Sequence, residues 1–131
     1  MIFVDTSFWV ATMAADDAHH AEATDLVRTT PGRLMTSNHV RGETWTFLNR
    51  RHGHSPAVAF LETLARMFRV RLEFVSRELE DEALRWLRQH DEREYSFIDA
   101  TSFALMRALR IREALAFDSD FSAAGFTELR A

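Results

Sequence analysis

The stretch Ile2-Phe3-Val4-Asp5-Thr6-Ser7 decides how this chain is read. Three consecutive apolar strand formers spell a short strand covered on both faces, the kind that parallel sheets use. Asp5, Thr6 and Ser7 follow at once, and all three are helix-capping residue types. A short helix is therefore expected over residues 8–15, broken by Asp16-Asp17. A strand that runs directly into a helix start is the first half of a βα unit. An acid at that junction lies beyond the C-terminal end of the strand, where open parallel sheets bind their ligands.

The same alternation continues along the chain. Residues 18–29 read as a helix with Ala21, Leu26 and Val27 on its apolar side, and Pro31-Gly32 as a turn. A second strand is expected over 33–36. Ser37-Asn38 then cap a helix running to about residue 52, which Gly53 ends. Ser55-Pro56 open another helix, with Phe60, Leu61, Leu64 and Phe68 at helical spacing. A third strand falls on 72–75. Ser76 caps a helix over 77–89 whose stripe is Leu79, Ala83, Trp86 and Leu87. After a charged loop, Ser96-Phe97-Ile98-Asp99 has the capping-box form. It opens a helix reaching about residue 110, apolar on most sides through Phe103, Leu105, Met106 and Leu109. Residues 114–117 read as a fourth strand ending in Asp118, and 126–129 as a fifth candidate. Strands alternating with helices throughout define an α/β fold with a mostly parallel sheet of four or five strands flanked by helices.

Length and composition bound the rest. The 131 residues make one domain, 1–131, with no repeat and no linker. There is no cysteine, so disulfides and thiolate metal sites are excluded, and any metal site is built from carboxylates, histidines or backbone oxygens. All 16 basic residues are arginine and the net charge is −4, which argues against a protein that simply coats nucleic acid by bulk charge. The first residues have neither the basic nor the long apolar region of a signal peptide, and no apolar run approaches the ~18 residues that span a bilayer. A soluble cytoplasmic protein, independent of membranes, is expected.

Four carboxylates are the candidate chemistry. Asp5 and Asp118 each follow a strand, and neighbouring strands would aim both into one crevice. Asp99 stands in the first turn of the most apolar helix, on the face of Phe103 and Met106. Glu43 lies within a helix at the spacing of Val40 and Phe47, on a face that leans inward. Acids about 5 Å apart repel by roughly 3 kcal/mol per pair at an effective dielectric of ~20. Such a group either takes up protons or recruits hard divalent cations, and all-oxygen ligation selects magnesium or manganese. Cations held this way support phosphodiester hydrolysis. Thr6, Ser7 and Ser96 are candidates to orient those carboxylates or their waters. Each acid alone also has a plain reading: Asp5 as a helix cap, Asp99 as the capping-box acid, Asp118-Ser119-Asp120 as a polar turn, and Glu43 as the partner of an arginine. Their joint occurrence in one small α/β domain favours a site.

Together these segments resemble the PIN-domain family. Asp5-Thr6-Ser7 after Ile2-Phe3-Val4 is similar to its opening. Glu43 within Gly42-Glu43-Thr44-Trp45, Asp99 within Ser96-Phe97-Ile98-Asp99-Ala100, and Asp118 within Phe117-Asp118-Ser119-Asp120-Phe121 follow in the family's order across the whole chain. The resemblance implies a Rossmann-like three-layer sandwich. It implies a magnesium- or manganese-dependent endoribonuclease with Asp5, Glu43, Asp99 and Asp118 as its catalytic acids, and Asp5, Asp99 and Asp118 as metal ligands. Asp120 falls where relatives carry a histidine or another acid, which leaves it a supporting role. Compact members of the family are mostly VapC-type toxins, homodimers silenced by a small antitoxin, and their substrates are transfer, ribosomal or messenger RNA.

The remaining features are weighed against that reading. Arg50 and Arg51, in a basic run with His52 and His54, are candidates to hold RNA phosphates; Arg66, Arg69 and Arg71 form a second run. His19 and His20 are adjacent and point different ways on a helix, which does not favour metal binding. Phe8, Trp9, Met13 and Trp45 read as core or interface. Two other function classes compete: a metal-dependent phosphatase acting on small molecules, and a non-catalytic module that binds a metal or a partner. The phosphatase lacks a second aspartate two residues after Asp5, where Ser7 stands, and has no lysine to neutralise a phospho-aspartate.

Overall fold

The computed structural model describes residues 1–131. Five short strands, β1 (Ile2–Val4), β2 (Leu34–Ser37), β3 (Val70–Glu73), β4 (Glu113–Leu115) and β5 (Thr127–Glu128), form one sheet in the order β3-β2-β1-β4-β5. Every pairing is parallel. Seven helices flank it: α1 (Thr6–Met13), α2 (His20–Thr29), α3 (Asn38–Arg51), α4 (His54–Arg66), α5 (Arg77–Gln89), α6 (Phe97–Ala108) and α7 (Asp120–Ala123). None is long and apolar enough to cross a membrane. After β1 the chain winds outward through β2 and β3 to one edge. It then returns to the other side of β1 for β4 and β5. The strand order thus reverses between β1 and β4, which defines the crevice for a ligand.

The central strands are buried throughout, as the apolar run at residues 2–4 requires. The core joins Phe3, Val4 and Leu34 of the sheet to Phe8 and Trp9 of α1, Leu48 of α3, Phe60 of α4 and Phe103 of α6. One polar group inside it is fully paired: Thr36 donates to the Val4 carbonyl at 2.9 Å and accepts from the Trp9 indole at 3.3 Å, tying β2 to β1 and α1. Phe8 and Trp9 are therefore core, with Met13 and Trp45 packed against it.

Sequence caps set most helix starts. Ser37, Ser76 and Ser96 each accept a hydrogen bond from the backbone N–H three residues on, and Ser96 with Asp99 completes the capping box. Gly53, at φ +101°, closes α3 as expected of a residue that must enter the left-handed region.

Several expectations shift. Helix α1 starts at Thr6 rather than residue 8, because Asp5 itself is the cap. Helix α2 buries Ala23 and Leu26, while Ala21 faces solvent. In α4 only Phe60 of the proposed stripe is fully inside; Leu61 is partly exposed and Phe68, beyond the helix, is 93% exposed. Strand β3 lies two residues earlier than its apolar pattern suggests. Pairing with β2 sets it, Leu34 opposite Val70 through Ser37 opposite Glu73, and at the sheet edge Phe74 stays open. Strand β4 ends at Leu115, so Asp118 sits three residues beyond the strand and not at its end.

Candidate active site

Asp5 leaves β1 at the reversal point and caps α1. Its Oδ2 accepts from the Ser7 N–H at 3.2 Å and the Ser7 hydroxyl at 2.9 Å. Its Oδ1 is buried with no partner in the protein. Asp99 is the third residue of α6. Its Oδ2 accepts from the Ser96 N–H at 3.2 Å, and its own N–H donates to the Ser96 hydroxyl at 2.9 Å. Asp118 lies in the turn after β4, where its Oδ1 accepts from the Asp120 N–H at 3.0 Å and Ser119 takes a left-handed conformation, φ +68°. Each acid thus fixes one oxygen on nearby backbone. Asp5, Asp99 and Asp118 each offer an oxygen to a common point, all three within 4.8 Å of one another.

The electrostatics follow from that crowding. Burial pushes the Asp5 carboxyl well above its ordinary range, and repulsion from Asp118 and Asp99 pushes it further; the Ser7 hydrogen bonds only partly offset this. Asp99 is raised to about 7, again first by burial and then by Asp118. Asp118 is raised by burial, although the Asp120 N–H lowers it; it lies at the mouth of the pocket, open to solvent yet crowded by protein. No arginine pairs with any of the three. An orphaned buried oxygen, a hard all-carboxylate donor set and no protein counter-charge fit a divalent cation.

The other predicted residues distribute around a pocket of 420 Å³. Glu43, half-buried on α3, lines its facing wall but stays outside the three-acid group, so the expected convergence of four is a convergence of three. Its face opens onto the cleft, with Val40 buried behind it and Phe47 partly exposed beside it; no arginine pairs with it. Ser7 bridges two elements, donating to Asp5 and accepting the Phe117 N–H at 3.0 Å. Ser96 holds Asp99. Thr6 lines the pocket with its hydroxyl engaged by Thr44 at 3.4 Å. Asp120 is occupied by Arg93, whose guanidinium donates to one oxygen at 2.8 and 3.1 Å; its backbone, not its carboxylate, reaches Asp118. Arg50 and Arg51 lie outside this pocket, in an adjoining cleft that shares Glu43 and Phe47 with it.

Three contributors carry no signal in the sequence. His19 stacks on Phe117 at 4.3 Å with the two rings nearly parallel, on the pocket wall. Phe117 reads as a strand residue yet leaves the sheet to meet it. Arg130 lies over that same ring at 5.1 Å. The contact of His19 with Phe117, far apart in the chain, follows from strand order, which periodicity does not contain.

A parallel sheet with β1 at its centre and three clustered acids at its reversal point define the class. The chain belongs to the PIN domain family, which it matches over residues 2–127. It is 58% identical, over 134 aligned positions covering 99% of this chain and 98% of the relative, to the 23S rRNA-specific endonuclease VapC20 of Mycobacterium tuberculosis, strains CDC 1551 / Oshkosh and ATCC 25618 / H37Rv. The crystal structure of M. tuberculosis VapC20, described as a sarcin-ricin loop cleaving toxin, superposes with a TM-score of 0.96 at 57% identity over the full length of both chains. A toxin–antitoxin complex from Klebsiella pneumoniae shares the fold, with a TM-score of 0.64 at 17% identity, covering 94% of this chain and 91% of that one.

Proposed function

We propose that this chain is a divalent-cation-dependent endoribonuclease, the toxin of a VapBC-type toxin–antitoxin pair, with 23S ribosomal RNA as its substrate. One observation carries the chemistry: three carboxylates within 4.8 Å, one of them with a buried oxygen that no protein group satisfies. Asp5, Asp99 and Asp118 are the residues that hold the ion, magnesium or manganese by the hardness of the donors. When bound, such a cation supplies Lewis acidity toward a phosphodiester and makes water a stronger nucleophile near neutral pH. Glu43, on the facing wall, accepts the proton of the attacking water at a carboxylate oxygen. Ser7 and Ser96 keep Asp5 and Asp99 in their rotamers, and the Asp120 N–H fixes Asp118. Arg50 and Arg51 hold RNA phosphates beside the pocket.

The RNA target rests on the full-length relationship to VapC20, and so does a small cognate antitoxin. Exposed apolar side chains such as Phe68 and Phe74 leave surface for that antitoxin or for a second subunit of a homodimer. A ribosomal target places the protein in the cytoplasm. The phosphatase alternative gains nothing, since no cationic side chain stands at Asp5 to support a phosphorylated carboxylate.

The test is cleavage of a 23S rRNA fragment by the purified protein with magnesium or manganese, read by mapping RNA ends. Cleavage at one position that disappears in Asp5→Asn and Asp99→Asn is the expected result. Full cleavage by both variants overturns the assignment of the acids, and intact RNA with the wild type overturns the nuclease reading.

A further inference from the structure

Beside the three acids lies a second, larger cleft of 860 Å³, within the range of about 300–1,000 Å³ that holds small-molecule-sized ligands. Glu43 and Phe47 form the partition between the two, since they line both. Its other walls come from the start of α3 (His39), the end of α3 (Arg50, Arg51) and the start of α6 (Phe97). Two features of this lining call for a ligand. Phe47 and Phe97 leave more than a third of their surface exposed, in a fold that buries most of its other phenylalanines. Arg50 and Arg51 pair with no carboxylate, although the chain carries more acids than bases.

The rings and cations are arranged together. The Arg51 guanidinium lies 5.2 Å over the Phe47 ring, and the His39 ring lies 5.9 Å from that of Phe97. His39 has a buried Nδ1 with no partner, while its Nε2 faces Glu80 at 3.6 Å. Exposed aromatic faces interleaved with guanidinium groups are how proteins grip unpaired nucleotides: bases stack on rings and phosphates meet cations. Continuity with the catalytic pocket fixes what the ligand is part of, since a chain crossing the acids passes the Glu43–Phe47 partition.

We propose that this cleft is a subsite for an unpaired nucleotide adjoining the scissile phosphate, with its base on Phe97 and its phosphate on Arg50 and Arg51. This deepens the nuclease reading above and rests on it. Phe97 stands two residues before Asp99 on the same helix turn, so a base stacked there is held at a fixed distance from the acids. The cleft then selects RNA that can release a base from its helix, and it makes Phe97 a determinant of where the strand is cut. An unbroken duplex offers no base to fill it.

The experiment measures binding in the Asp5→Asn background, which does not cut. The probes are a fluorescent 23S rRNA loop hairpin and a single-stranded oligonucleotide of the same loop sequence. Adding Phe97→Ala is expected to weaken both by roughly tenfold, and Phe97→Trp to restore them. Adding Arg50→Ala with Arg51→Ala is expected to weaken both and to lower the slope of log affinity against log salt by about one per arginine. In the otherwise wild-type protein, neither change alters manganese affinity by calorimetry, because neither touches the acids. Folded variants that bind RNA within about twofold of the parent overturn the subsite. So do variants that keep RNA affinity but lose antitoxin affinity, which would make the cleft a protein-docking surface. Wild-type protein that cuts no RNA defeats the nuclease reading itself. Wild-type cleavage with unchanged binding in the Phe97 and arginine variants defeats only the subsite.

Discussion

Asp5 divides its two oxygens between folding and the pocket. One holds the start of α1, and the other is buried facing like charges. Asp99 does the same at the start of α6. The plain reading of each acid as a cap and its reading as a site ligand are therefore both true. Sequence spacing alone makes them look like rivals, because it does not distinguish the two oxygens of one carboxylate. Asparagine keeps the cap and removes the charge. Asp5→Asn is thus expected to reduce cleavage by at least about 100-fold while raising the melting temperature of the metal-free protein. Asp99 supplies the pH signature. Its carboxyl moves from an ordinary 3.8 to about 7 on folding, so between those values the folded state binds more protons than the unfolded state. Stability therefore falls as pH rises through that window. Metal-free melts from pH 4 to 8 should show this decline in the wild type and a flatter curve in Asp99→Asn. Parallel curves would mean that folding does not raise the Asp99 carboxyl.

Asp118 depends on a whole element instead of a local cap. The turn that carries it is pinned by β5, whose Glu128 is nearly buried and accepts from the Ser119 N–H at 3.3 Å and the Ser122 N–H at 2.9 Å. Arg130 closes the arrangement, donating to Glu128 at 3.0 Å and to the Ala116 carbonyl at 2.8 Å. Glu128→Ala is expected to lower stability by about 1–2 kcal/mol, since it leaves two backbone donors without their charged acceptor. It should also weaken manganese binding several-fold by loosening the turn, although Glu128 does not belong to the acid cluster. Calorimetry with manganese and a thermal melt separate the two effects, and an unchanged manganese affinity would show that the turn holds itself. The same elements mark where the sequence is legible. Helices with a serine cap and a 3.6-residue stripe, such as α5, are read almost to the residue. Short strands are not: β3 and β4 have register fixed by their neighbours, and Phe117, apolar and beside a strand, belongs to the pocket wall.

At the scale of the molecule, Asp5 stands near one end of the chain and Asp99 and Asp118 in its last third, and only the strand order brings them together. Alternating elements disclose an α/β fold, but the central position of β1 between β2 and β4 rests on pairings between distant residues. A site assembled this way exists only in the folded state, so its ligand stabilises folding by mass action. At 100 times the dissociation constant the gain is about 2.7 kcal/mol, or about 10 °C for a domain of this size. Protons compete for the same oxygens, because burial raises all three carboxyls and repulsion from Asp118 raises Asp5 and Asp99 further. Near pH 5 the Asp99 carboxyl, raised to about 7, holds a proton that a cation must displace. Near pH 8 Asp99 has lost that proton, and a cation meets its charge without competition. Manganese is therefore expected to raise the melting temperature several degrees more at pH 8 than at pH 5, a difference that chelation by EDTA abolishes and Asp5→Asn reduces. An equal shift at both pH values would place the binding at scattered surface acids, and the pocket would then have to be explained without a metal.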